Sequence, residues 1–327
     1  MPAPYWDCGE ECCPDPEPGY PPTIGCYSLS PARAFGINPH WHLEQNLLDR
    51  LPEMNIGWAR LDFKWDCVER DPGVYDWSAT DTLFAEYNRR GIKILALLWG
   101  TPAWASSSGQ RWGVPESAEA QQHWRAFVQA VTRRYRSITH WEVWNEPHNR
   151  SMWRGSAQQY VELLLKPAAQ EIHATNPDNK VLAPSVTDTF SGGDAIIAAI
   201  GTYGAAAMVN IISQNHYSST ASLSALTQKW NGRFQKYDAA GMTGQRVWVT
   251  ETGKGSNYGE TEQGQYLLRA LCLMDELPRI DNVFVYQLTD DGDTKGVLRS
   301  NGQPKWAYWA LGGIYVPHCQ TDGYPWN

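Results

Sequence analysis

Two glutamates, each at the end of an apolar run that contains tryptophan, are the residues of this sequence best placed to do chemistry. Glu146 follows the run ITHWEVWN at 138–145, and Glu251 ends the run RVWVTE at 246–251. A protonated carboxyl group can donate to a leaving oxygen, while an ionised one can attack or stabilise an anomeric carbon. Each charge also raises the proton affinity of the other group, which helps to divide these roles. A single glutamate of this kind indicates a solvated charge, but two in the same setting favour a carboxylate pair that could cleave a glycosidic bond.

Such a pair needs a scaffold that brings two distant strand ends together. Short apolar runs alternate with amphipathic, helix-like stretches along most of the chain. The eight predicted strands lie at 35–38, 56–63, 92–98, 138–145, 180–186, 209–217, 246–251 and 282–288. The segment TIGCYS at 23–28 competes with 35–38 for the first strand. Eight strand–helix units predict an α/β fold, a single (β/α)8 TIM barrel.

The barrel also explains how the two glutamates could meet. In this fold the chemistry lies where the strands end and the following loops begin, so strands four and seven would place Glu146 and Glu251 on the same rim. A doubly wound open sheet is the alternative architecture. That fold usually carries a glycine-rich phosphate turn after its first strand, and no such motif occurs in this sequence.

The beginning of the chain has a different composition from the rest. Residues 1–22 are rich in proline and cysteine and show no period, which predicts an irregular arm before a barrel at 23–327. Cys8, Cys12 and Cys13 suggest disulfide bonds and an extracellular or secreted protein, although no apolar signal segment is visible and the total of seven cysteines is odd. Zinc binding is the competing interpretation, but no histidine or second cysteine pair completes a four-ligand site.

Composition restricts the partners. The formal net charge of −8 argues against nucleic acid or an anionic membrane surface, and no apolar run is long enough to span a membrane. The chain has 17 Trp and 16 Tyr against 7 Phe, a bias toward rings that can stack on sugars, although such rings also fill cores. We therefore expect a carbohydrate partner, a monomer, and no metal or other cofactor.

Two motifs carry a family resemblance. The string WEVWNEP at 141–147 resembles the acid/base motif of clan A glycoside hydrolases, and WVTETG at 248–253 resembles their nucleophile motif. The segment 60–98 is similar to the second and third barrel units of family 39-like and, more distantly, family 5-like retaining β-glycosidases. The resemblance extends from about residue 33 to 311.

The resemblance implies a role for five residues. Glu146 would be the general acid/base, Glu251 the nucleophile, and Asn145 a hydrogen-bond partner of the substrate 2-hydroxyl. Tyr217, after strand six, would bond the nucleophile. Arg60, at the end of strand two, would pair with Glu251 and hold the pKa of Glu251 down.

An alternative for the arginine stays open at this stage. Arg60 could instead form a structural ion pair with Asp62 or Glu69. The same uncertainty applies to two histidines near the rim, because His40 and His216 could bond sugar hydroxyls or be purely structural.

Three aromatic residues are further candidates for substrate contact. Trp99 and Trp104 border the long loop after strand three, where they could form a stacking platform or pack into the core. Tyr286 stands at the end of strand eight, where many clan members have tryptophan. The acidic stretch that follows contains DGD, which suggests calcium but lacks the spaced oxygen ligands of a calcium loop. The sequon at Asn149 lies beside Glu146, so we expect it to be unglycosylated.

These observations favour a retaining glycoside hydrolase that cleaves β-glycosidic bonds of a polysaccharide or oligosaccharide, with internal cleavage preferred because no accessory module is visible. One alternative is an exo-acting β-glycosidase such as a β-xylosidase. A second is a non-catalytic carbohydrate-binding barrel, which predicts the loss of a glutamate or of its supporting residues. A third is an aldolase or a phosphate-handling barrel, for which Lys254 is the candidate residue.

Overall fold

The computed structural model describes residues 35–54, 56–187, 192–217 and 223–312 of the 327-residue chain. The predicted arm at 1–22, with Cys8, Cys12 and Cys13, and the competing first strand at 23–28 lie outside the described residues. The disulfide prediction and the boundary between arm and barrel therefore stay predictions.

Eight parallel strands close into a barrel in which each strand is hydrogen-bonded to the next and the eighth to the first. The strands are β1 Phe35–Asn38, β2 Ile56–Lys64, β3 Lys93–Trp99, β4 His140–Val143, β5 Lys180–Thr187, β6 Ile211–His216, β7 Arg246–Thr252 and β8 Ile280–Tyr286. The predicted (β/α)8 TIM barrel is confirmed. Sequence periodicity was informative here because strands buried on both faces are nearly continuous apolar runs.

Helices surround the barrel between successive strands. They are α1 Gln45–Leu48, α2 Trp65–Val68, α3 Ser78–Asn88, α4 Ala118–Arg134, α5 Ala157–Gln159, α6 Lys166–Thr175, α7 Gly193–Thr202, α8 Leu223–Ala239, α9 Glu260–Glu276 and α10 Trp306–Gly312. α4 illustrates their construction: the Ser117 hydroxyl caps its start by accepting from the amide of Ala120 (3.0 Å). Of the helices in the described residues, none is long and apolar enough to cross a membrane.

Two elements differ from their predicted form. The stretch at 157–175, one of the helix-like stretches between the predicted strands, contains a π-helical turn, Tyr160–Leu165, between α5 and α6. Strand four was predicted to extend to Asn145 but ends at Val143, because Trp144 (φ 68°) and Glu146 (φ 45°) have left-handed backbone that no strand continues. The acid/base candidate thus lies on a turn rather than at a strand end.

An apolar plug fills the barrel interior. It consists of Leu95, Leu182, Ile211, Trp248 and Phe284, with Trp58 packed against them. The ring of His140 stacks on Trp248 at 4.8 Å. Alternate residues of a strand share a face, so Arg60 and Glu142, two positions beyond Trp58 and His140, form a polar layer above this plug. The plug therefore supports the residues that the site depends on.

Candidate active site

Glu146 is held on its turn by its backbone and by two amide side chains. Its N–H donates to the carbonyl oxygen of Ser185 (3.1 Å). Its carboxyl oxygens accept from Asn149 Nδ2 (3.0 Å) and Asn215 Nδ2 (3.2 Å). The residue is only 9% exposed. Every hydrogen bond to this carboxyl group within the described residues comes from a neutral amide.

Glu251 has a different set of partners. It precedes the last residue of β7 and is 7% exposed. Arg60 Nη1 donates to its Oε1 (2.7 Å), and the Tyr217 hydroxyl donates to its Oε2 (2.8 Å). The predicted contacts of Arg60 and Tyr217 with this glutamate are therefore present.

The pKa of Glu251 is raised overall, although Arg60 lowers it as predicted. Burial raises the pKa of this carboxyl group, while the positive charge of Arg60 lowers it. The charge of Glu146 adds to the upward shift, and donation from Tyr217 opposes it. Arg60 acts in the predicted direction, but the net shift is upward, because burial disfavours the ionised form more than these partners favour it. The predicted effect of Arg60 is therefore present, and it offsets part of the upward shift that burial causes.

Arg60 is the hub of the site. It lies in the middle of β2, not at its end, and is 6% exposed. Its Nε donates to Glu142 (2.5 Å), and its Nη1 also donates to Asn38 Oδ1 (3.1 Å). The carboxylates of Glu142 and Glu251 raise the pKa of Arg60, although burial by itself lowers it, so the guanidinium stays protonated.

The alternative ion pairs considered for Arg60 involve other residues in the structure. Asp62 lies 3.4 Å from Lys64, and Glu69 pairs with His123 at 2.6 Å. Arg60 instead lies on the face of β2 that points into the barrel, where its side chain contacts the residues of the site.

Asn145 is fixed by the same arginine. Its Oδ1 accepts from Arg60 Nη2 (2.9 Å) and from the Ser185 hydroxyl (3.1 Å). Because the oxygen is occupied on both sides, the Nδ2 end of the amide remains to donate to a ligand hydroxyl. This orientation suits the role that the resemblance implied.

Sequence reasoning missed several residues of the site. Asn38, Glu142, Ser185 and Asn215 line it from four different strands, and Asn149 was considered only as a sequon. A polar residue in a buried strand was a usable signal, because such a group needs a partner inside the fold. The identity of that partner was not readable, since it depends on how eight strands come together.

His40, two residues after β1, and Tyr286, the last residue of β8, lie together at the site. The His40 ring meets Tyr286 edge-on at 5.3 Å and is hydrogen-bonded to Gln287. Tyr286 lies 6.3 Å from the ring of Tyr217, and its peptide bond to Gln287 is cis. Burial and the charge of Glu251 raise the pKa of Tyr286. Tyr286 therefore lies close enough to feel the charge of the nucleophile candidate, and His40 packs against Tyr286.

The other residues predicted to contact substrate are His216, Trp99 and Trp104, and each packs against another aromatic ring. The His216 ring packs against Trp230 of α8 at 5.3 Å. Trp99 stacks on Trp112 at 5.0 Å, at the rim where β3 ends. Trp104 meets His123 edge-on at 4.8 Å. Trp104 and His216 thus show packing contacts, while Trp99 keeps the position of a rim aromatic; their contact with substrate stays a prediction.

Charged residues near the rim are paired with one another. Lys305 forms an ion pair with Asp290 (2.6 Å), and Lys295 forms one with Asp293 (2.5 Å). Two aspartates of the acidic stretch after β8 are therefore neutralised by lysines. Among the described residues, no group of three His, Cys, Asp or Glu could hold a metal ion. Lys254 is bound to Glu262 (2.7 Å), so its contacts do not favour the aldolase alternative.

Comparison with known proteins gives a consistent class. Residues 50–177 match the model of glycosyl hydrolase family 10. A family 39 glycoside hydrolase from the gut symbiont Bacteroides cellulosilyticus WH2 is similar in structure, with a TM-score of 0.70, 19% identity, and coverage of 88% of this chain and 65% of that one. This chain therefore spans slightly less than two thirds of that protein. The curated protein sequences contain no match.

Two further solved structures have the same fold. A monomeric β-xylosidase from Caulobacter crescentus CB15 gives a TM-score of 0.71 at 17% identity, covering 88% of this chain and 69% of that one. A family 30 subfamily 8 xylanase from Clostridium acetobutylicum gives 0.62 at 16% identity, covering 88% and 71%. Together these findings confirm the predicted resemblance to clan A glycoside hydrolases and support the prediction of an O-glycosyl hydrolase.

Proposed function

We propose that this protein is a retaining glycoside hydrolase in which Glu146 is the general acid/base and Glu251 the nucleophile. The observation that carries the proposal is the unequal support of the two carboxyl groups. Glu251 receives a guanidinium and a phenol, which stabilise its anion. Within the described residues Glu146 accepts hydrogen bonds only from neutral amides, so its anion lacks the charged partner that Glu251 has.

The reaction follows from this division of roles. Glu146 gives its proton to the glycosidic oxygen while Glu251 attacks the anomeric carbon, so that the carbon–oxygen bond breaks and a glycosyl ester forms. Glu146, now a carboxylate, takes a proton from a water molecule that attacks the same carbon and releases Glu251. Asn145 Nδ2 would hold the 2-hydroxyl through both steps.

The substrate is proposed at a finer level than the reaction. We infer β-linked polysaccharides or oligosaccharides, and xylose-containing chains are the first to test because two of the similar structures are a β-xylosidase and a xylanase. Internal cleavage, a monomeric state and an extracellular location remain part of the proposal. The rim aromatic Trp99 and its neighbour Trp112 offer a surface on which a sugar could stack.

Hydrolysis of a polysaccharide panel, with the products sized, tests this function. We expect turnover by the parent protein and a loss of several orders of magnitude in both Glu146→Gln and Glu251→Gln. Short oligosaccharides of mixed length would indicate internal cleavage, and a single small product would indicate exo action. Binding of polysaccharide without turnover would instead support the non-catalytic barrel.

A further inference from the structure

A third buried carboxylate lies beneath the catalytic pair. Glu142 is on β4 and is 0% exposed. Its Oε2 accepts from Arg60 Nε, while its Oε1 is buried and has no hydrogen-bond partner among the described residues. A buried carboxylate with one bare oxygen is costly, so its presence needs a reason.

The geometry of Arg60 supplies that reason. A carboxylate that served stability alone would take the guanidinium fork in a bidentate pair. Glu142 instead takes only the Nε edge, which leaves both terminal nitrogens to the site. Nη1 donates a hydrogen bond to Glu251 (2.7 Å), and Nη2 donates to Asn145 (2.9 Å) and to the hydroxyl oxygen of Ser185 (3.3 Å). Glu142 thus anchors the arginine from below and leaves its fork free to face the nucleophile.

The distribution of charge around Arg60 also gives Glu142 a role in the site. One guanidinium lies between the carboxylates of Glu142 and Glu251, so its positive charge is shared between them. We propose that Glu142 is a positioning residue that fixes the orientation of Arg60 and takes up part of its charge, and so sets how strongly Arg60 stabilises the ionised form of Glu251. The inference rests on the proposed role of Glu251.

Other titratable groups face this pair from the surrounding elements. Among the described residues, Arg60 and Tyr160 interact electrostatically with Glu142. Glu251 interacts in the same way with Arg60, Glu146, Tyr217 and Tyr286. Glu142→Gln removes one negative charge from this set and keeps an oxygen that can accept from Arg60 Nε. Its effect on Glu251 should therefore be electrostatic.

The test is a direct titration of Glu251 by carbon NMR of protein labelled at the glutamate carboxyl carbons, with the signal assigned by its loss in Glu251→Gln. We expect Glu142→Gln to lower the pKa of Glu251 by about one unit, the size of a partly screened charge at this range. Glu69→Gln is the matched control, because Glu69 is equally buried but pairs with His123. This control should leave the titration of Glu251 unchanged.

An unchanged or raised pKa of Glu251 in folded Glu142→Gln would overturn the proposal. If that variant does not fold, Glu142→Asp is the second variant, because it keeps the charge but shortens the side chain that holds Arg60. It should raise the pKa of Glu251, because Arg60 would be drawn away from the nucleophile, and an unchanged pKa of Glu251 in folded Glu142→Asp would contradict the positioning role. The titration needs no turnover, so absence of hydrolysis would refute the proposed function without deciding the role of Glu142.

Discussion

At the scale of single residues, the site is defined by what surrounds each carboxyl group. Glu251 and Glu146 are both nearly buried, yet only Glu251 contacts a cation and a phenol among the described residues. The two groups therefore differ in partners and not in exposure. Changes to those partners should alter the titration of Glu251 in a direction that physics fixes in advance.

The first such change is Tyr217→Phe. The lost hydroxyl donates to Glu251 and lowers its pKa, so its removal should raise that pKa and move the acidic limb of kcat/KM to higher pH. We also expect kcat/KM at the optimum to fall by about 10- to 100-fold, the loss of a charge-assisted hydrogen bond. A pH–rate profile measures both effects.

Tyr135→Phe is the control for this variant, because Tyr135 also loses a hydroxyl contact, with Asp81 (2.9 Å), outside the barrel. Its profile should match the parent. A limb that stays in place in Tyr217→Phe would mean that the phenol does not stabilise the ionised nucleophile.

The parent profile itself is a second prediction. Glu251 can attack only when ionised, and its pKa is raised above the ordinary value of 4.5, chiefly by burial. Activity should therefore be lost as the pH falls through a value above 4.5, not below it. An acidic limb of kcat/KM that lies below this value would show that Arg60 and Tyr217 outweigh burial.

At the scale of elements, the turn after β4 places the acid/base. Trp144 and Glu146 both have positive φ, and such backbone persists only where neighbours hold it. The Trp144 indole donates to the carbonyl of Met152 (2.9 Å), and the Tyr160 hydroxyl donates to the carbonyl of Val143 (2.9 Å). Tyr160 begins the π-helical turn between α5 and α6, so this irregular helix supports the end of β4.

Tyr160→Phe tests this support. Loss of the hydroxyl removes a hydrogen bond to the buried carbonyl of Val143, so the free energy of unfolding should fall by about 0.5–1.5 kcal/mol. The turn should loosen and kcat should fall roughly tenfold, because small displacements of a catalytic group are costly. Urea unfolding and initial rates measure the two effects. A variant that is less stable but has the parental kcat would show that Tyr160 does not position Glu146.

The strand ends and the partner of Arg60 show which features of the site could be predicted from the sequence and which could not. Strand periodicity located β7 to within a residue and placed both glutamates on one rim, since burial on two faces leaves a clear apolar run. It could not show that β4 stops at Val143, because positive φ at Trp144 is imposed by tertiary contacts. Nor could it pair Arg60 with Glu142, since that contact depends on the register between strands far apart in sequence.

At the scale of the whole molecule, the apolar plug links the site to global stability. Trp58, His140 and Trp248 pack together below the polar layer of Arg60 and Glu142. Burial lowers the pKa of His140 to about 4, with further contributions from Lys180 and Lys93. The folded barrel therefore holds this histidine neutral at pH values where the unfolded chain would protonate it.

The consequence is a pH-dependent stability. A histidine with a depressed pKa contributes stability that is present above its unfolded value of 6.5 and lost as the pH falls toward about 4. His140→Phe, which keeps a ring on Trp248, should remove up to about 3 kcal/mol of this dependence. Urea unfolding between pH 4.5 and 7 measures it. Trp58→Phe keeps His140 and should retain the slope; a parental slope in His140→Phe would contradict the prediction.

A covalent intermediate on Glu251 distinguishes a retaining glycosidase, whether it cleaves internally or from a chain end, from the non-catalytic barrel and from the aldolase or phosphate-handling barrel. Incubation with activated 2-deoxy-2-fluoro glycosides of xylose, glucose and mannose should trap it, because the fluorine slows breakdown of the glycosyl ester. Mass spectrometry of the digested protein should then find one added glycosyl group, on the peptide that contains Glu251, and none in Glu251→Gln. A label on another residue would contradict the role assigned to Glu251. Hydrolysis of an unfluorinated substrate to a first product with the inverted anomeric configuration would contradict the double displacement.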